Sequence, residues 1–550
     1  MRHRSERAFL VAFLVSFTAG QLRAGAYFQI GGNPIRWNQN RLLLKVPRTV
    51  HLSAGSPSGV HGSETAAQVH AAVWEAAKAW NRAEGATIKI DLELTDETQI
   101  GGSSNLVTFT DARPFDSGQC DPGTYLACAL LSYTPDGAPV GVNIAFNPYK
   151  QHSSTGIAGT HDIGSVVLHE LGHALGLDHS PIIDSIMNAK LEQEPLAGAP
   201  ADFALRTLSR DDVRTLEAAY PKERQALIEG SVRRNMTPVS AAHVFAIDGD
   251  GHPEIGTLTG PDGRFSLPVG PGEYRLVAEP LDGPVDNRDL QSLRSVEATS
   301  FPTMFWSATG AESPDGDLIV IEAGEIRGGI DFALAEGKAK VNAETIGLVQ
   351  NGSYWGFPRV TVARGGSYTL GLTRSAPYDS PAVSFPLSKV ELDGAANSPS
   401  SVPQLVRQKV KLPADMPCGS YVVRYATGAG VSVLAGGLRV VANPLVELAG
   451  FANQTLVTGR TFVIRGQDLA CRFFAAEPAY EGAPWPTQLD GVSVKVGARF
   501  ARVLSVAPDQ IVAEVPDGVS GPSAELAVLT GTGMQSPPVS VRVEPAPAKE

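Results

Sequence analysis

The densest chemistry in this chain lies in one run: His169-Glu170-Leu171-Gly172-His173-Ala174-Leu175-Gly176-Leu177-Asp178-His179. Two histidines four positions apart fall on one face of a helix, so both imidazoles reach a single ion. Neutral imidazole nitrogen suits zinc, which takes about four ligands in a tetrahedron and keeps one position open when it is to do chemistry. A third imidazole from the same helical run cannot complete the tripod. Gly176 resolves this, because glycine tolerates positive φ, ends the helix and turns the chain, so that His179 approaches from another direction. Glu170, beside the first ligand, is placed to act as general base on water at the metal without itself binding the ion. The bland reading is a helix with surface histidines and a salt-bridged glutamate. Gly176 and His179 at fixed spacing, in a chain with 11 histidines, weigh against it.

The elements that must position these residues are mixed. A helix is expected over 163–175, carrying the first two histidines. Another is expected over 64–84, with Val69, Val73, Ala76 and Trp80 at helical spacing and Ser63 as its cap. A third spans 209–220, where Ser209 and Asp212 resemble a capping box. Leu42–Val46, Ile88–Leu94, Leu106–Phe109 and Val142–Phe146 read as strands. His152 and His161, near the motif, read as exposed loop histidines, with cleft lining or metal binding as the other reading. Asp136-Gly137 reads as a turn. Asp248-Gly249-Asp250-Gly251 opens like a calcium loop but has no glutamate at the required later position, so it reads as a β-turn.

Beyond Pro221 the texture changes to short strands with Gly, Pro and Asp punctuation. Three β-sandwich domains are expected, at 228–336, 338–443 and 444–545. The last two parallel each other. Arg364-Gly365-Gly366-Ser367-Tyr368 matches Thr458-Gly459-Arg460-Thr461-Phe462, Leu412-Pro413 matches Val515-Pro516, and Gly428-Ala429-Gly430 matches Gly531-Thr532-Gly533, the pattern of a duplicated module.

The histidine motif resembles that of the metzincins, and Ser180 after it makes the matrixin (matrix-metalloprotease-like) branch the better match. Ser185-Ile186-Met187-Asn188 resembles that family's Met-turn, which implies that Met187 lies beneath the metal. The likeness runs over 34–221. Trp37–Val46 resembles the first strand, the helix with Trp74 and Trp80 the first long helix, and Arg206–Val213 with Ala219-Tyr220-Pro221 the closing helix. It implies a multidomain chain in which residues 27–221 form an α/β catalytic domain, a twisted and mainly parallel sheet with long helices, with a cleft for an extended peptide. It implies a zinc metalloendopeptidase with one catalytic Zn2+ on His169, His173 and His179, and Glu170 as base. The chain departs from the family in places. Residues 27–36 are too few for a cysteine-switch prosegment and contain no cysteine. Ala145 stands where a ligand to a structural zinc is expected, so no structural zinc is predicted. Asn147 replaces an acidic residue, which leaves Ca2+ open. Residues 228–336 resemble carboxypeptidase regulatory-like domains, through Gly230-Ser231-Val232, Asp262-Gly263-Arg264-Phe265 and Ile330-Asp331-Phe332. Residues 444–545 resemble an IPT/TIG immunoglobulin-like domain, through Val457-Thr458-Gly459 and Ile464-Arg465-Gly466.

Bulk properties bound the rest. The 550 residues exceed a single core, and 45 basic against 57 acidic side chains give a net charge of -12, so nucleic acid and anionic membrane are not expected partners. Arg2, Arg4 and Arg7, the apolar run Ala8–Ala19 and the small residues Ala24-Gly25-Ala26 read as a signal peptide over 1–26, with Tyr27 opening the mature chain. No later run is long enough for a transmembrane span. The expectation is a secreted, extracellular protein, with periplasmic or cell-surface retention as variants. Cys120, Cys128, Cys418 and Cys471 allow three disulfide connectivities: Cys120–Cys128 would close a short loop and Cys418–Cys471 would tie the distal domains, with free thiols as the other reading. The expected partner of the site is a protein or peptide substrate, and of the β domains a surface, glycan or protein ligand. The alternative is an adhesion protein whose metzincin domain binds zinc without cutting.

Overall fold

The computed structural model describes residues 27–545 except 31–32, 52–57, 102–104, 135–137, 158, 190–205, 291–299, 311–312, 314, 335–340, 375–380, 400–403, 448–454, 520 and 531–533. The expected leader at 1–26 and the turn at Asp136-Gly137 lie outside the described residues.

The N-terminal region runs β1 (Arg41–Pro47), α1 (Ala66–Asn81), β2 (Lys89–Thr95), β3 (Val107–Thr108), α2 (Arg113–Asp116), β4 (Ala127–Tyr133), β5 (Pro139–Phe146), β6 (His152–Ser153), β7 (His161–Asp162), α3 (Ile163–Ala174) and α4 (Arg210–Ala219). β1 and β2 are parallel, with Leu42 opposite Ile90 and Leu44 opposite Leu92. A parallel bridge from Lys45 to Leu106 leads to β3. β3 is parallel to β5, and β4 lies antiparallel on the far side of β5. The order is β2-β1-β3-β5-β4, mainly parallel with one antiparallel edge. β1 shows why: Leu42, Leu44 and Val46 are buried while Leu43 points outward at 44% exposure, the period of two that a sheet covered on one face demands.

Helices α1 and α3 pack on each other. Val69, Val73, Ala76 and Trp80 form the buried stripe of α1, and Trp80 Nε1 donates to the Leu168 carbonyl of α3 at 2.8 Å. Thr65, not Ser63, caps α1, in a capping box with Gln68. The helix starts later than its neighbours suggest because Glu64 is held outside it. Its buried carboxylate accepts the hydroxyls of Ser153, Ser154 and Thr155.

His152 corrects the exposed-loop expectation. It is fully buried, paired across β6–β7 with His161, edge-on to Phe146 at 5.3 Å, and its Nδ1 donates to the Gly59 carbonyl at 2.8 Å. Burial lowers its pKa to about 4. His161 is half-buried, and burial lowers its pKa too. The strand pairing with His161 carries His152 inward.

Cys120 is bonded to Cys128 and Cys418 to Cys471, leaving no free thiol. The first disulfide staples the loop before β4. Buried Asn147 holds that loop by donating from Nδ2 to the carbonyls of Pro122 and Tyr125 at 2.9 and 2.7 Å. A carboxylate there has no proton to give, a physical reason for asparagine where the resemblance anticipated an acid.

Each β region has two facing sheets and its own apolar core. Strands 226–234 and 264–269 face 243–248, 253–258 and 272–279. Strands 343–350, 367–374 and 405–411 face 419–427 and 430–441. Strands 461–467, 502–506 and 510–514 face 492–496, 523–530 and 539–544. The last two share a turn. Gly365 and Gly459 both take φ of 74° and donate to Pro413 and Val515 carbonyls. In return Leu412 and Val515 donate to Gly366 and Arg460.

These regions pack on the N-terminal region. Ile182, in the loop after His179, shares an apolar cluster with Phe245, Val277, Phe305, Val422 and Val433. Arg210 and Arg214 of α4 pair with Glu254. The last module meets α1, where His70 Nδ1 bonds the Tyr480 hydroxyl at 3.1 Å and Arg82 stacks over Phe474 at 4.2 Å.

Candidate metal centre

α3 presents His169 and His173 on successive turns, both buried. Its N-terminus is set by Asp162, which accepts from Ser165 N and is gripped by Arg206. Its C-terminus is a Schellman motif: Leu177 N donates to Gly172 O at 3.0 Å and Gly176 N to His173 O at 2.9 Å. Gly176 has φ of 90°, and a Cβ there would stand 2.3 Å from the Ile35 carbonyl oxygen, so no other residue makes this turn without moving the chain. The turn delivers His179.

All three imidazoles donate from Nδ1 to a backbone carbonyl: His169 to Ile186 at 2.7 Å, His173 to Leu177 at 2.8 Å and His179 to Asp289 at 2.6 Å. That fixes one tautomer and leaves the Nε2 lone pairs for a common point. The Nε2 atoms of His173 and His179 are 3.3 Å apart. Zinc–imidazole bonds of about 2.0–2.1 Å in a tetrahedron put neighbouring nitrogens about 3.3–3.4 Å apart. The three candidate ligand atoms lie within 4.8 Å of one another, and this is the sole such group among the described residues. Burial, then the neighbouring His169 and His179, hold the His173 pKa well below its ordinary value, which keeps it a neutral ligand. The donor set fits one zinc ion. Glu170 sits next to His169 on α3, 4% exposed. The remaining predicted residues fall where they can support this set. Met187 packs under α3, its Sδ 2.3 Å from where a Cβ on Gly172 would stand, so glycine at that position lets helix and methionine meet this closely. Cys120 lies in the loop before β4 and its partner Cys128 in β4, while Cys418 and Cys471 lie in the β regions.

Three supporting residues carried no functional reading in the sequence. Asp212, read only as a cap, also accepts from the Ser185 hydroxyl and from the amides of Ile186 and Met187, so it holds the turn whose carbonyl orients His169. Asp211 accepts from the Ser180 hydroxyl at 2.6 Å and from Gly256 N at 2.9 Å. Burial, then Asp212, pushes its pKa up to about 6. Asp289 acts through its carbonyl. Two adjacent acids on a capped helix were a readable signal for Asp211 and Asp212; a backbone acceptor leaves none.

Residues 59–221 match the matrixin family model, and residues 453–543 match the IPT/TIG domain model. No curated protein matches the chain. Among solved structures, it is similar to the SGBP-B protein of a Bacteroides ovatus mixed-linkage glucan utilization locus in complex with a mixed-linkage heptasaccharide, at 13% identity over 56% of this chain and 60% of that one, with a TM-score of 0.17. It is also similar to extracellular domains 3–5 of Drosophila OTK, at 8% identity over 58% and 94%, with a TM-score of 0.18. The chain thus spans less than two thirds of the first of these, and neither likeness is strong enough to carry a fold or a ligand over. The family match and the converging imidazoles agree on the same stretch: residues 59–221 form a matrixin-type zinc metalloendopeptidase domain of the metzincin kind, with an IPT/TIG domain later in the same chain.

Proposed function

We propose that the whole protein is an exported endopeptidase that cuts extracellular proteins. The observation that carries the reading is the convergence of three backbone-oriented imidazoles beside a buried glutamate. A zinc ion held there supplies Lewis acidity, polarising a carbonyl and acidifying water towards pKa about 7. Glu170 takes the proton from the attacking water and returns it to the leaving amine. The outer edge of β4 pairs with no strand among the described residues, a geometry that suits an extended peptide added as a further strand, and β4 packs against α3. Export is supported by the basic, apolar and small-residue order of 2–26 and by the two disulfides. Among the described residues no helix is long and apolar enough to cross a membrane. The adhesion alternative would be favoured by a missing ligand or base, and all four residues are present. A surface, glycan or protein ligand on the β modules is a separate expectation on which this reading does not depend.

Hydrolysis of quenched casein by the mature chain tests it, with chelator, with zinc restored, and beside Glu170→Ala. Cleavage should follow zinc and fall about 10²–10⁴-fold in the variant. One bound zinc with no cut in any peptide library would overturn the reading.

A further inference from the structure

The next module reaches into the metal centre. Residues 281–290 leave the 272–279 strand and return to the catalytic domain, where the Asp289 carbonyl accepts the Nδ1 proton of His179 at 2.6 Å. The segment is built to hold that position. Leu281 and Leu290, at its two ends, are buried in one cluster with Ala241 and Leu258, Leu290 at 0% exposure. Asp286 N donates to Asp289 Oδ2 at 2.8 Å, closing the turn, and Asn342 Nδ2 donates to the Asp282 carbonyl at 2.9 Å. A second strut runs beside it, from Gly256 N through Asp211 to Ser180, the residue after the ligand. His169 and His173 find their acceptors inside the catalytic domain, so His179 alone depends on another module.

We infer that the 281–290 segment is a positioning element of the metal centre: through the Asp289 carbonyl it sets the tautomer and ring direction of His179, so the module at 228–336 is required for full metal affinity. This rests on the zinc reading above. The acceptor is a main-chain atom, so substitution has to act on what anchors it. Leu290→Ala removes a fully buried side chain from the anchoring cluster, and Asp289→Ala removes the side-chain bond to Asp286 N while leaving the apolar core intact. Leu456→Ala, in the distal module and equally buried at 1%, controls for general destabilisation.

The test is zinc affinity of the full mature chain, by competition with a chromophoric chelator, with far-UV circular dichroism to check folding. Loss of an outer partner of a metal-bound histidine typically weakens binding about 10–100-fold. Leu290→Ala and Asp289→Ala should both show that loss, Leu456→Ala should match the wild type, and saturating zinc should restore the kcat of the two loop variants. Wild-type affinity in both loop variants overturns the inference, and so does an equal loss in all three. A wild-type chain that binds no zinc at all would instead fell the zinc reading itself.

Discussion

On the helix side of the metal centre, His169 and His173 lean on the carbonyls of Ile186 and Leu177, 17 and 4 residues away in the same domain; on the loop side, His179 leans on Asp289, 110 residues on. The first arrangement follows from local chain geometry: a helix, a Schellman glycine and a turn pinned by Asp212. The second exists only because two domains pack. Ile182, between His179 and Met187, is part of the apolar seam between them, so the loop that carries the third ligand is also domain interface. The three imidazoles are therefore oriented on one side by secondary structure and on the other by tertiary assembly.

Three substitutions sharpen that contrast. The largest effect is expected from Asp212→Ala, which strips the helix side of its support and leaves the Asp289 contact alone. It takes the acceptor from the buried Ser185 hydroxyl and Ile186 amide and from the partly buried Ser209 amide, while Met187 N keeps the Ser185 hydroxyl at 3.0 Å. Chemical denaturation should show a loss of about 3–5 kcal/mol, and zinc affinity should fall with it. Unchanged affinity would mean that the Ile186 carbonyl does not need this turn.

Next comes His152, in the core but on neither side. Its pKa is about 4 in the folded chain, below its ordinary 6.5. The unfolded chain therefore binds more protons between these values, and stability rises with pH there. The contribution of His152 is fully present above about 6.5 and is lost as pH falls through about 4, at most about 3 kcal/mol. His152→Asn keeps a donor near the Gly59 carbonyl and cannot titrate. It should flatten the acid limb of thermal midpoint against pH and leave zinc affinity at neutral pH untouched. An unchanged acid limb would assign the titration elsewhere.

Gly172→Ala should have the smallest effect. The added methyl meets Met187 Sδ at 2.3 Å and Trp80 Cζ2 at 2.9 Å, and the flexible thioether can yield partly. A loss of about 1–3 kcal/mol in denaturation is expected, typical of an overfilled core. A stabilised variant would show that the helix and Met187 pack more loosely than these distances require.

The sequence by itself determined the ligand set, the base and the helix stop. His169, Glu170 and His173 follow from the 3.6-residue period, and Gly176 from the positive φ that a Schellman motif needs; both are local properties that side-chain identity encodes. The β texture and the repeated Gly365 and Gly459 turns were legible for the same reason. Tertiary structure decided the rest. It chose the disulfide partners, buried His152 where a loop histidine was expected, began α1 at Ala66 by drawing Glu64 into a hydroxyl cluster, and supplied the acceptor for His179. Burial is set by contacts distant in the chain. A main-chain carbonyl is present at every residue, so only the packing of one domain on another reveals which one orients a ligand.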